Sequence, residues 1–106
     1  MRRLALYEPA LLCPTGLCGM DPDPELVRVF AALACLRTHG IETVRYSYAL
    51  DPIAFLNASV VLETLAAHGE KSLPITQVDD AIVLMGRYPT NAELATWFDL
   101  PFAIET

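Results

Sequence analysis

The 106-residue sequence predicts an α/β domain with a mixed four-stranded sheet flanked by helices, and three features carry that reading. Short apolar runs bounded by turn residues alternate with longer stretches of helical periodicity, which is the pattern of β-α-β units. Leu73 to Val78 and Ala81 to Met85 are separated only by Asp79-Asp80, the spacing of a tight hairpin. Hydrophobic residues make up 54% of the chain and charged residues 19%, so the sequence is equipped to fill one core rather than to remain disordered.

Leu4-Ala5-Leu6-Tyr7 is an apolar run stopped by Glu8-Pro9, which reads as a buried first strand. A loop with prolines and glycines follows and holds Cys13 and Cys18. Asp21-Pro22-Asp23-Pro24-Glu25 then offers an N-cap carboxylate, a proline for the first turn and early acids. The helix it starts should run to Thr38-His39 and stop at Gly40. Leu26, Val27, Phe30, Leu33 and Ala34 recur at three- and four-residue steps and mark the face expected to pack on the sheet.

Ile41 to Tyr48 reads as the second strand, with Val44, Tyr46 and Tyr48 on one face and Thr43, Arg45 and Ser47 on the other. A helical crossover makes the first two strands parallel neighbours. Asp51-Pro52 repeats the helix-start device before an apolar pattern from Phe55 to Leu65 that ends at His68-Gly69, either one helix or a short turn capped again at Asn57. Thr90-Asn91-Ala92-Glu93 is a capping box for a last helix through Leu94, Ala95, Trp97 and Phe98. The resulting order, β-α-β-α-β-β-α over residues 1–106 as one domain, resembles the thioredoxin fold. That fold commonly places a cis-proline at the start of the third strand, beside the loop after the first, and Pro74 stands there.

Thirteen acidic against seven basic side chains give a net charge of −6, which opposes a polyphosphate partner. Lys71 is the single lysine, the arginines are scattered, and Arg2-Arg3 reads as solvated terminal charge, so no basic stripe can be drawn. No apolar run approaches the ~20 residues of a membrane span, and the N-terminus lacks the pattern of a signal peptide. Three cysteines without framework spacing fit a reducing, cytoplasmic compartment. No Ser-His-Asp set, phosphate-cradling loop or paired carboxylates stand out, which points away from an enzyme.

The chemistry therefore rests on thiols. Cys13 and Cys18 precede a helix N-terminus, where dipole and free amides favour thiolate over thiol and so favour nucleophilicity or soft-metal binding. Pro14 and Gly16 favour a turn between them, although the spacing exceeds that of a Cys-x-x-Cys pair. Cys35 lies one position beyond the apolar repeat of the first helix and reads as a packed small residue or idle thiol. His39 and His68, each before a glycine, read as helix C-terminal caps, and Gly86-Arg87-Tyr88-Pro89 reads as a turn.

Residues 6–19, the Leu73-Pro74 pair and Met85-Gly86-Arg87-Tyr88-Pro89 followed by Glu93-Leu94-Ala95 and Trp97-Phe98 together resemble the ArsD family of arsenical-resistance operon repressors and arsenic metallochaperones. The resemblance covers nearly the whole chain. It implies a thioredoxin-like, homodimeric protein that binds trivalent arsenic or antimony on thiolates, passes it to the ATPase of an efflux pump and weakly represses its operon by binding operator DNA. Cys13 and Cys18 match two of the three cysteines of the family's metalloid loop, while Leu12 stands where the third would be, and the family's C-terminal cysteine pairs have no counterpart here. Two thiolates leave one position on trivalent arsenic for an outside thiol such as glutathione, so the resemblance implies weaker binding. A thiol-disulfide redox protein, with Cys13 attacking and Cys18 resolving, is the alternative.

Overall fold

The computed structural model describes residues 2–9 and 23–100; Leu12, Cys13, Cys18 and Asp21 lie outside the described residues. Along the chain run β1 (Arg3–Glu8), α1 (Pro24–Thr38), β2 (Glu42–Ser47), α2 (Pro52–Asn57), α3 (Ser59–His68), a 3-10 turn (Glu70–Ser72), β3 (Ile75–Val78), β4 (Ala81–Met85) and α4 (Asn91–Trp97). The sheet order is β2-β1-β3-β4. β1 is parallel to β2 and antiparallel to β3, which pairs antiparallel with β4. This is the thioredoxin-like arrangement expected from the element order, and the Leu73-Pro74 bond is cis.

β1 is apolar along nearly its whole length because both of its faces are covered. Leu4 and Leu6 point into one core with Val29, Leu33 and Leu36 of α1 and with Leu94 and Phe98 at α4. Ala5 and Tyr7 point into the other, with Phe55, Val61 and Ile75. Each fully buried side chain of this size contributes roughly 1.5–3 kcal/mol relative to exposure.

Turn chemistry explains the joints. The Asp23 side chain accepts the Glu25 N–H at 2.9 Å and so caps α1, with Pro24 opening its first turn. Gly40, at φ +81°, ends the turn after α1, a backbone region that costs glycine little. Asp79 and Asp80 both hold positive φ, at 50° and 71°, the left-handed pair that a two-residue hairpin needs.

Four local expectations are corrected. The buried stripe of α1 is Val29, Ala32, Leu33 and Leu36, while Val27 and Phe30 stay 43% and 40% exposed. This helix is apolar around most of its circumference, so period alone cannot select the face. The stretch from Pro52 to His68 is two helices broken at Ala58, with Asn57 ending the first rather than capping the second. Phe55 and Val61 would stand about 120° apart around one continuous helix, and the break lets both reach the same core. The Asp51 carboxylate leaves α2 uncapped and accepts the Ser47 N–H at 2.8 Å instead. Arg2 and Arg3 are not idle charges either: Arg2 donates to the Phe98 carbonyl, and Arg3 pairs with Glu42 at 3.5 Å.

Candidate functional site

The segment that carries Cys13 and Cys18 leaves the sheet where β1 ends and returns where α1 begins. Glu8, the last residue of β1, has no solvent exposure. An isolated buried carboxylate would be strongly disfavoured, and three contacts offset that cost. Arg45 of β2 meets it as a fork, Nε to Oε2 at 2.7 Å and Nη2 to Oε1 at 2.6 Å. The Tyr88 hydroxyl donates to Oε1 at 2.7 Å from the loop before α4. Burial, then the bond to Glu8, holds the Tyr88 hydroxyl above its ordinary range, so it stays a donor. Burial pulls the Arg45 guanidinium down, yet its bonds to Glu8 carry it above its usual value. Arg45 Nη1 is buried with no hydrogen-bond partner among the described residues.

Two further pieces reach the same end of the sheet. Tyr7 pairs with Ile75, so Pro74 stands next in line, level with Glu8. Gly86 N–H donates to the carbonyls of Ser72 and Pro74, which draws the 86–89 loop in beside them. That loop is also tied to α1, because Arg28 donates to the Pro89 carbonyl at 2.9 Å and to Asn91 Oδ1 at 2.7 Å. Arg87 forks onto Glu93 at 2.7 and 2.9 Å. What reads as a plain turn in the sequence is thus the tie that joins β1, β2 and both flanking helices, and its Tyr88 belongs to the buried network.

Sequence reasoning missed that network. Glu8 reads as the polar stop of a strand, and the only signal was a charged residue, Arg45, between Val44 and Tyr46 in the middle of a strand.

Cys13 and Cys18, the expected metalloid ligands, lie outside the described residues. Among the described residues no group of three or more His, Cys, Asp or Glu side chains is placed to hold a metal ion. Cys35 is half-buried against the core of α1 and α4, as its position predicts. His39 caps α1, with Nδ1 2.9 Å from the Cys35 carbonyl, and His68 closes α3.

Comparison with known proteins identifies the architecture. The family model described as "Arsenical resistance operon protein ArsD" matches residues 1–106. The chain belongs to the ArsD family. Two ArsD relatives of Escherichia coli, each named arsenical resistance operon trans-acting repressor, are 39% and 37% identical over 101 residues, which is 95% of this chain and 84% of theirs. The crystal structure of an arsenical resistance operon trans-acting repressor from Bacteroides vulgatus superposes with a TM-score of 0.84 at 35% identity, covering 92% of each chain. The fold is therefore that of an ArsD protein, and the repressor names of these relatives point to a non-enzyme. No helix among the described residues is long and apolar enough to cross a membrane.

Proposed function

We propose that this ArsD protein binds trivalent arsenic or antimony through the thiolates of Cys13 and Cys18 and delivers it to the ATPase of an efflux pump. Membership of the ArsD family carries the reading, because it places the chain among arsenical resistance proteins. The two cysteines stand between β1 and α1, ahead of a fifteen-residue helix whose N-terminus favours negative charge. Each thiol gives up its proton as a hydroxide leaves arsenous acid, so two As–S bonds form and two waters are released. The third position keeps a hydroxide or exchanges it for an outside thiol such as glutathione. Delivery is thiolate exchange: an incoming thiol forms a new As–S bond as a bond to Cys13 or Cys18 breaks, and its proton passes to the departing sulfur.

A weak repressor role at operator DNA accompanies this reading, supported by the names of the relatives. The net charge of −6 keeps nonspecific DNA affinity low. A homodimer working in the reducing cytoplasm completes the proposal.

The test is a titration of fully reduced protein with arsenite, with and without glutathione. Binding should be lost in Cys13→Ser and Cys18→Ser, kept in Cys35→Ser, and strengthened by glutathione. Equal binding in Cys13→Ser and the unaltered protein would overturn the site. A strong disulfide reductase activity in place of arsenite binding would favour redox chemistry.

A further inference from the structure

On the face of the sheet opposite Glu8 and Arg45 lies a cavity of about 440 Å3, within the size range of small-molecule sites. Arg3 and Tyr7 of β1, Tyr46 of β2, Gln77 of β3, Asp80 of the hairpin turn and Ser59 at the start of α3 line it. It lies apart from the cysteine segment in the chain and uses none of the network around Glu8.

Two polar side chains open onto it. Gln77 is 7% exposed and Tyr7 6% exposed, and neither the Gln77 amide nor the Tyr7 hydroxyl has a hydrogen-bond partner among the described residues. Their polar ends line the cavity, where a polar occupant would find hydrogen-bonding groups. Burial first, then the neighbouring Tyr46, holds the Tyr7 hydroxyl above its usual value and keeps it a donor. α3, ten residues long, begins after Ala58 with no side-chain cap, so its first amides are also without a side-chain acceptor.

The charges select the occupant. Arg3, with Nη2 3.4 Å from the Tyr46 hydroxyl and Nε 3.5 Å from the exposed Glu42 carboxylate, keeps part of its guanidinium for an anionic group, and the start of α3 attracts one too. Asp80 lines the same cavity and repels a simple anion such as phosphate. A ligand with both signs meets both charges, and the half-buried ring of Tyr46 offers a π face to a cationic group. We propose that this cavity binds a small zwitterion of the free α-amino acid class, its carboxylate toward Arg3 and the start of α3 and its ammonium toward Asp80.

The experiment screens the common free L-amino acids against the full chain at about 1 mM by ligand-observed NMR, followed by calorimetry. Inorganic phosphate and the N-acetylated form of each hit serve as probes lacking the paired charges. At least one amino acid should bind with unit stoichiometry, and N-acetylation should weaken it at least about tenfold. Asp80→Asn, which keeps a residue tolerant of positive φ, should weaken it similarly, and so should the near-isosteric Gln77→Met. The Cys13→Ser variant should bind the amino acid unchanged, which separates this site from the metalloid reading. Absence of any amino acid binding, phosphate binding in its place, or affinity untouched by Asp80→Asn overturns the proposal.

Discussion

Glu8 shows what a single residue can demand of a fold. Its carboxylate is shut from water and satisfied by groups 37 and 80 residues away in sequence, Arg45 and Tyr88. Truncating one partner of a buried ion pair leaves the other charge stranded, so Glu8→Gln should cost about 3–5 kcal/mol in urea unfolding. Tyr88→Phe removes only one neutral donor from the carboxylate and should cost about 1–3 kcal/mol. Replacing the pair together, Glu8→Leu with Arg45→Met, should recover much of the single-variant loss, because both desolvation penalties vanish at once. A double variant no more stable than Glu8→Gln would show that the ion pair itself, and not its burial cost, dominates. None of this was legible in the sequence: a Glu at a strand end looks solvated, and no local pattern reports a partner eighty positions on.

At the scale of elements, local signals served well where the physics is local. The Thr90–Glu93 capping box is present in both directions, Thr90 Oγ1 accepting the Glu93 N–H at 3.1 Å and Glu93 Oε1 accepting the Thr90 N–H at 2.9 Å. The Asp79-Asp80 hairpin and the stop at Gly40 were equally readable, since each needs only a few adjacent residues. The break at Ala58 was only half readable: Asn57 marked the place as one of two alternatives, but the cause is the demand of the distant core for both Phe55 and Val61. The face of α1 was hidden for a related reason, its apolar residues surrounding the helix. Of the candidate site, Cys13 and Cys18 lie outside the described residues, and the network at Glu8 depends on tertiary contacts that no local pattern reports.

α4 also yields a pH prediction. The Arg87 guanidinium, then the Thr90 N–H, holds the Glu93 carboxyl at about 2, below its ordinary value of 4.5. A carboxyl depressed on folding adds stability above its unfolded pKa and loses it as pH falls through the folded value. The stability of the chain should therefore drop between about pH 4.5 and about pH 2, and Glu93→Gln should flatten that part of the profile. Because the pair is largely exposed, added salt should shrink the difference. An unchanged acid limb in Glu93→Gln would assign the loss to other carboxylates. Thr90→Ala removes the other half of the box and should cost about 1 kcal/mol in thermal unfolding.

For the whole molecule, β1 divides the interior into two cores that share a sheet but few side-chain neighbours. Ile41 belongs to one and Ile75 to the other. Ile41→Val and Ile75→Val should each cost about 0.5–1.5 kcal/mol, and the double variant should lose their sum to within about 0.5 kcal/mol. A larger departure would mean that the sheet transmits packing strain between its faces.

The bracing around Glu8 has an engineering consequence. The chain is gripped on one side of the cysteine segment by Glu8, held by Arg45 and Tyr88, and on the other by Asp23 and Arg28, which cap α1 and bind it to the 86–89 loop. Both grips are built from described residues outside 10–22. If Cys13 and Cys18 hold soft ions as proposed, loops of altered thiol number or spacing grafted between Pro9 and Asp23 should change ion selectivity while the same two anchors hold the scaffold.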